Sequence, residues 1–211
     1  MILDASGSMD SIGSKGKTRI AELNEGISTL EHALKHDDTA VSRVQLGIVS
    51  VGGPSNSAEV LMDWTDAVHF SAFPLKAAGT TPLGVGIRLG LQMIEQLKQN
   101  LRNNGIPYTR PWMMIITDGE PTDSSSEWEA AVNECRGAES ARKVEVYTIA
   151  VEGANLATLS QLSARPPVQL DGLKFNELFV WLSSSLSAAS KSRPGDTLAL
   201  PPLDPWRNVG M

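Results

Sequence analysis

Apolar residues recur along this chain in two rhythms: short continuous runs, and longer stretches in which they return every three or four positions. The first is the mark of buried strands and the second of helices with one buried face. Met1-Ile2-Leu3 is the opening run, followed by a polar loop from 10 to 17. Ile20, Leu23, Ile27, Leu30 and Leu34 then predict a helix. Residues 44–51 read as a central strand ended by Gly52-Gly53-Pro54, and residues 58–64 as its hairpin partner, giving an antiparallel edge. Residues 65–73 form a connection anchored by Phe70 and Phe73.

The second half repeats the alternation. A long helix is expected over 82–100, with Leu83, Ile87, Leu91, Ile94 and Leu101 near one face, Thr81 as N-cap and Pro82 as the first helical residue. Its glycines disfavour helix, so close packing on the sheet has to hold it. Asn103 to Pro107 ends it, and Trp112–Thr117 is the clearest buried strand. Ser124 and Glu127, at capping-box spacing, open a helix that carries Trp128, Val132 and Cys135 inward, with an interruption expected near Gly137. A strand over 144–151, a short helix over 155–162, a brief strand over 168–170 and an amphipathic helix through Phe175, Leu178, Phe179, Leu182 and Leu186 complete the pattern. Strands alternating with helices define an α/β domain over 1–190. Residues 191–211 form a proline-rich tail, in which Arg193-Pro194-Gly195 breaks the helix and residues 198–206 cannot be helical, and its leucines and Trp206 lead us to expect it packed on the domain. The opening run is short for a core strand, which leads to the expectation of lost upstream residues or a strand cut to its functional end.

Composition narrows the function. With 41% hydrophobic and 20% charged residues the chain has the makeup of a folded globular protein. A formal charge of -6 is poor material for binding a phosphate backbone, so nucleic acid is not expected as a partner. No signal-peptide pattern opens the given sequence and no apolar run reaches membrane length, so with a lone Cys135 read as a small buried hydrophobe the expected setting, for a chain that starts at Met1, is reducing and cytoplasmic, with no membrane partner. His32 and His36 share a helix face near its C-terminus, where they favour the helix dipole more than they suggest a metal site. Lys15-Gly16-Lys17-Thr18 lacks the first glycine of a phosphate loop.

The chemistry gathers at three strand-to-helix junctions that carry only oxygen donors. Asp4-Ala5-Ser6-Gly7-Ser8 sets a carboxylate and two hydroxyls at alternating positions after the first strand. Thr80-Thr81 opens the long helix, and Asp118-Gly119 closes the strongest strand. Open α/β sheets hold ligands outside the carboxyl ends of their strands. Hard oxygen donors suit Mg²⁺, or Mn²⁺ or Ca²⁺, and the lack of nearby histidine and cysteine disfavours zinc. Asp123, Glu127 and Glu129 read as a solvated helix start.

These motifs closely resemble the von Willebrand factor A family, with its metal-ion-dependent adhesion site, over the chain up to about Ser190. The resemblance implies an open, mostly parallel six-stranded sheet between helices, a Rossmann-like arrangement. It implies that Ser6 and Ser8 bind the ion directly, Thr81 directly or through water, and Asp4 and Asp118 chiefly through water; Thr80 competes for the threonine role, and Thr81 is preferred because it directly precedes Pro82 and stands five residues before Gly86. Within the family, residues 112–123, Val180-Trp181-Leu182-Ser183-Ser184-Ser185 and the segment 200–206 are similar to the bacterial tellurium-resistance-associated TerY type, found in stress-resistance gene neighbourhoods with a protein kinase and a protein phosphatase.

Two readings of function follow. In the preferred one the chain is a non-enzymatic adaptor, and a protein partner's Asp or Glu supplies the missing ligand to Mg²⁺. The alternative is a metal-dependent phosphohydrolase with Asp4 and Asp118 as nucleophile and metal ligand. Ser6 following Asp4, in place of a second carboxylate, and the lack of a general acid weigh against it.

Overall fold

A computed structural model describes residues 1–170 and 174–191. Its elements in chain order are β1 (Ile2–Ala5), α1 (Arg19–Lys35), α2 (Ala40–Arg43), β2 (Gln45–Gly52), β3 (Ser57–Asp66), α3 (Leu83–Asn103), β4 (Trp112–Thr117), α4 (Ser125–Ser140), β5 (Glu145–Ala150), α5 (Leu156–Leu159), β6 (Val168–Gln169) and α6 (Phe175–Lys191). Short 3-10 turns follow β1 and β3.

The strands form one six-stranded sheet in the order β3-β2-β1-β4-β5-β6. All pairs are parallel except β2 with β3, so the antiparallel strand sits at the edge as its hairpin pattern predicts. Successive residues of a strand point to opposite faces, and both faces here are covered. Leu3, Met114 and Ile116 enter a core with the α1 and α6 side chains Leu23, Ile27 and Phe179. Ile2, Met113 and Ile115 enter the other with Leu83 and Ile87 of α3 and Cys135 of α4. Continuous apolar runs in β1 and β4 are thus the consequence of double-sided burial.

Glycine sets the spacing of helices against their neighbours. A Cβ on Gly86 of α3 would meet Val51 Cγ2 at 2.5 Å, and one on Gly26 of α1 would meet Phe179 Cδ2 at 2.6 Å.

Several boundaries differ from the expectation, each for a local reason. β1 runs through Asp4 and Ala5, because register with β2 continues to Ala5 opposite Gly52. Leu75 is buried after Phe70 while Phe73 is half-buried. The buried face of α3 is made by Gly84, Gly86, Gly90, Met93 and Ile94 beside Leu83 and Ile87, leaving Leu91 and Leu101 half-buried. α4 passes through Gly137 without interruption, since that position is open to solvent and demands no side chain. The expected packing of the segment after Lys191 lies outside the described residues. No helix among the described residues is long and apolar enough to cross a membrane.

Candidate metal centre

β1 and β4 are neighbours, and the connections leaving them run to opposite halves of the sheet. This is the switch point at which open α/β sheets form a crevice beyond their strand ends. Asp4 and Thr117 lie at those two strand ends, Ser6 and Ser8 in the turn after β1, and Asp118 directly after β4.

The side chains form one connected network. Asp4 Oδ1 accepts from the Ser6 backbone N–H at 2.8 Å, and Asp4 Oδ2 accepts from Thr117 Oγ1. Ser6 Oγ and Ser8 Oγ are 3.0 Å apart, and Ser8 Oγ donates to Asp118 Oδ1 at 2.6 Å. Asp118 Oδ2 accepts from Arg19 Nη1 at 2.5 Å. Asp4, Ser6, Thr81, Thr117 and Asp118 are buried, whereas Ser8 is exposed, so the cluster opens to solvent on the side of the first turn. Burial raises the Asp4 carboxyl above its ordinary value, and the Asp118 charge adds to this against the opposing hydrogen bonds from Ser6 and Thr117.

Thr81 belongs to the same space. A Cβ built on Gly119 would stand 3.1 Å from Thr81 Oγ1 and 3.6 Å from both Asp4 Oδ2 and Ser8 Oγ. Glycine at the third junction therefore faces oxygens of the other two, and Asp118 is joined to them through Ser8. That donor set fits a hard divalent cation. Ser6, Ser8 and Thr81 would hold it, with Asp4 and Asp118 beside it. Once bound, such an ion supplies an electrophilic centre for one further anionic oxygen. Thr80 points its hydrogen bonds elsewhere, its N–H and Oγ1 both meeting Asn56 Oδ1, and is exposed.

Three features were not legible in the sequence. The α3 N-terminus is capped by Asp123, whose carboxylate accepts from Gly84 N at 2.9 Å and Val85 N at 3.1 Å. Pro82 occupies the N-cap position, so the expected capping by Thr81 is replaced, and the expected solvated role of Asp123 in α4 is corrected as well. Thr81 is held instead through its backbone, which exchanges hydrogen bonds with Thr122. Thr117 orients Asp4, and Arg19 binds Asp118 across 99 positions of chain. Among the described residues no three His, Cys, Asp or Glu side chains gather as a metal group, because the cluster has two carboxylates and its other donors are hydroxyls. His32 and His36 stack on one another at 4.0 Å near the end of α1. A cavity of about 660 Å³ is lined by Leu46, Trp64, Leu101, Trp112 and Leu186 and by none of these donors.

Comparison with known proteins agrees with this architecture. The von Willebrand factor type A domain profile matches residues 1–177, and the chain belongs to that family. Among solved structures it is similar to the SpRpn10 VWA domain, with a TM-score of 0.52 and 14% identity over 76% of this chain and 77% of that one. It also resembles the pilus adhesin SpaC from Lactobacillus rhamnosus GG, with a TM-score of 0.65 and 16% identity over 89% of this chain and 30% of the adhesin. Proximal thread matrix protein 1 from the mussel byssus gives 0.53 and 14% identity over 88% of this chain and 46% of its own. At such identities the likeness is one of fold. No curated protein sequence matches the chain.

Proposed function

We propose that this chain is a metal-dependent protein-interaction module, with Mg²⁺ held by Ser6, Ser8 and Thr81, Asp4 and Asp118 acting chiefly through water, and an Asp or Glu of a protein partner completing the shell. Mn²⁺ and Ca²⁺ are chemically acceptable substitutes. The observation that carries the reading is the approach of Thr81, Asp4 and Ser8 oxygens to Gly119, with Asp118 tied to the same group through Ser8. Hydroxyl ligation delivers little negative charge to an ion, which keeps it receptive to an incoming carboxylate.

The phosphohydrolase alternative is disfavoured by the same geometry. Asp4 is buried and each of its oxygens already accepts a hydrogen bond, which presents it poorly as a nucleophile. The cation on Asp118 is Arg19, a guanidinium that does not give up its proton. Following the resemblance to the tellurium-resistance-associated group, the first partners to try are a protein kinase and a protein phosphatase of a bacterial, cytoplasmic stress-resistance system.

The test is capture of those candidates by immobilised protein in Mg²⁺ and in chelator, with phosphate release from a generic phosphate ester measured on the same preparations. The reading expects capture in Mg²⁺ that chelation reverses, and that Ser6→Ala/Ser8→Ala abolishes. Equal capture in both buffers contradicts the metal switch, and ester turnover lost in Asp4→Asn would favour the enzyme.

A further inference from the structure

Arg19 is the one cation bonded to the oxygen cluster through a hydrogen bond among the described residues, and no ligand role in the preceding reading uses it. It is the first residue of α1, directly after the N-cap Thr18, whose side chain accepts from Ala21 N. Its backbone N–H donates to Ser11 O, which ties the start of the helix to the turn carrying Ser8. The side chain then reaches Asp118, whose own side chain has no exposed surface, while that of Arg19 keeps 16%. Its Nε is buried and has no partner. On its other side the guanidinium lies against Gly153, where a Cβ would come within 3.3 Å of Nη2. A large, costly cation is thus held in place with part of its hydrogen-bonding capacity unspent.

We propose that Arg19 makes the binding of a divalent ion and of a carboxylate ligand interdependent, weakening the bare site for the ion and strengthening the loaded site for the carboxylate. The inference rests on the metal-site reading above and adds a determinant to it. Asp4, Asp118 and Arg19 carry a formal net charge of -1, which a divalent ion turns to +1. Without the guanidinium the same site would pass from two negative charges to none. Arg19 therefore opposes the ion by direct repulsion and by occupying Asp118 Oδ2, then leaves an excess positive charge that only an anionic ligand removes. The part of the guanidinium that stays exposed presents its positive charge to such a ligand. Linkage requires that whatever factor the ion gives to carboxylate affinity, the carboxylate returns to ion affinity.

Calorimetric titration of Mn²⁺ into the whole protein, in acetate and in chloride at equal ionic strength, reads both halves of the proposal. Wild type should bind Mn²⁺ several-fold more tightly in acetate. Arg19→Gln should bind it about tenfold more tightly than wild type in chloride, and lose most of the acetate gain, as expected when one charge beside the ion is removed. Arg19→Lys, which keeps the charge, should return toward wild type. Equal affinity in both buffers for the wild type overturns the proposal without recourse to any variant. Lys behaving as Gln overturns it too, since packing rather than charge would then be responsible. If Mn²⁺ binds wild type and Arg19→Gln alike, the coupling fails and the metal site stands; if it binds neither, both fail together.

Discussion

Gly119 is where the site is closed by the smallest change. Gly119→Ala should leave the metal-free melting temperature within a few degrees, because only Thr81 Oγ1 lies closer than ordinary contact to the added methyl. The methyl would stand beside the Thr81, Asp4 and Ser8 oxygens, so Mn²⁺ affinity should fall by about tenfold or more, measured by calorimetry, since a hard ion tolerates little displacement of its donors. The paired threonines give a second discrimination. Thr81→Ala should weaken metal binding, while Thr80→Ala should not, since Thr80 spends its hydrogen bonds on Asn56. Cys135 behaves as the small hydrophobe that its setting in the sequence suggests. Burial pushes its thiol up from 9.0 to about 12, with the nearby Glu139 adding to the shift. The native state keeps this proton while the unfolded chain loses it, so stability is unaffected below pH 9 and falls as pH rises from about 9 to about 12. Alkylation at pH 8 should accordingly proceed at the rate of unfolding, and rapid modification of the native protein would contradict the buried placement.

At the scale of elements, close approach at glycine has a measurable cost when filled. Gly26→Ala would set a methyl against the ring of Phe179 and the Cβ of Phe175, separating α1 from α6, and should destabilise the protein by about 1–3 kcal/mol in urea unfolding. Asp123→Ala removes the two hydrogen bonds at the start of α3 and should cost about 1 kcal/mol. Why some elements could be read in advance and others not follows from the range of the forces that make them. β4 and the buried stripe of α1 depend on the periodicity of their own residues, and both stand where the pattern put them. The start of α3 depends on Asp123, which arrives from 39 positions away, and a local rule that prefers Thr-Pro at a helix start had no means of finding it. Arg19 was hidden for the same reason. It looks like any solvated residue in the first turn of a helix until the fold brings Asp118 beside it. Asp4, Ser6, Ser8 and Asp118 were legible because alternating oxygens after a strand, and an aspartate-glycine exit from a core strand, are local features whose positions the sheet then brings together.

Across the whole molecule, the cluster exists only when β1 and β4 lie side by side, because Asp4 and Asp118 are far apart in the chain and meet through strand pairing. An ion bound there would favour the folded state by mass action and should raise the melting temperature progressively with concentration. The shift should be absent in Ser6→Ala/Ser8→Ala. The central claim is that one divalent ion sits among the hydroxyls of two junctions and beside the carboxylate of the third, and the most direct measurement is anomalous diffraction from crystals grown with Mn²⁺. The account predicts a single strong peak within bonding distance of Ser6 Oγ and Ser8 Oγ, beside Thr81, Asp4 and Asp118. A map without density there, or with its main peak at another group of side chains, would contradict it.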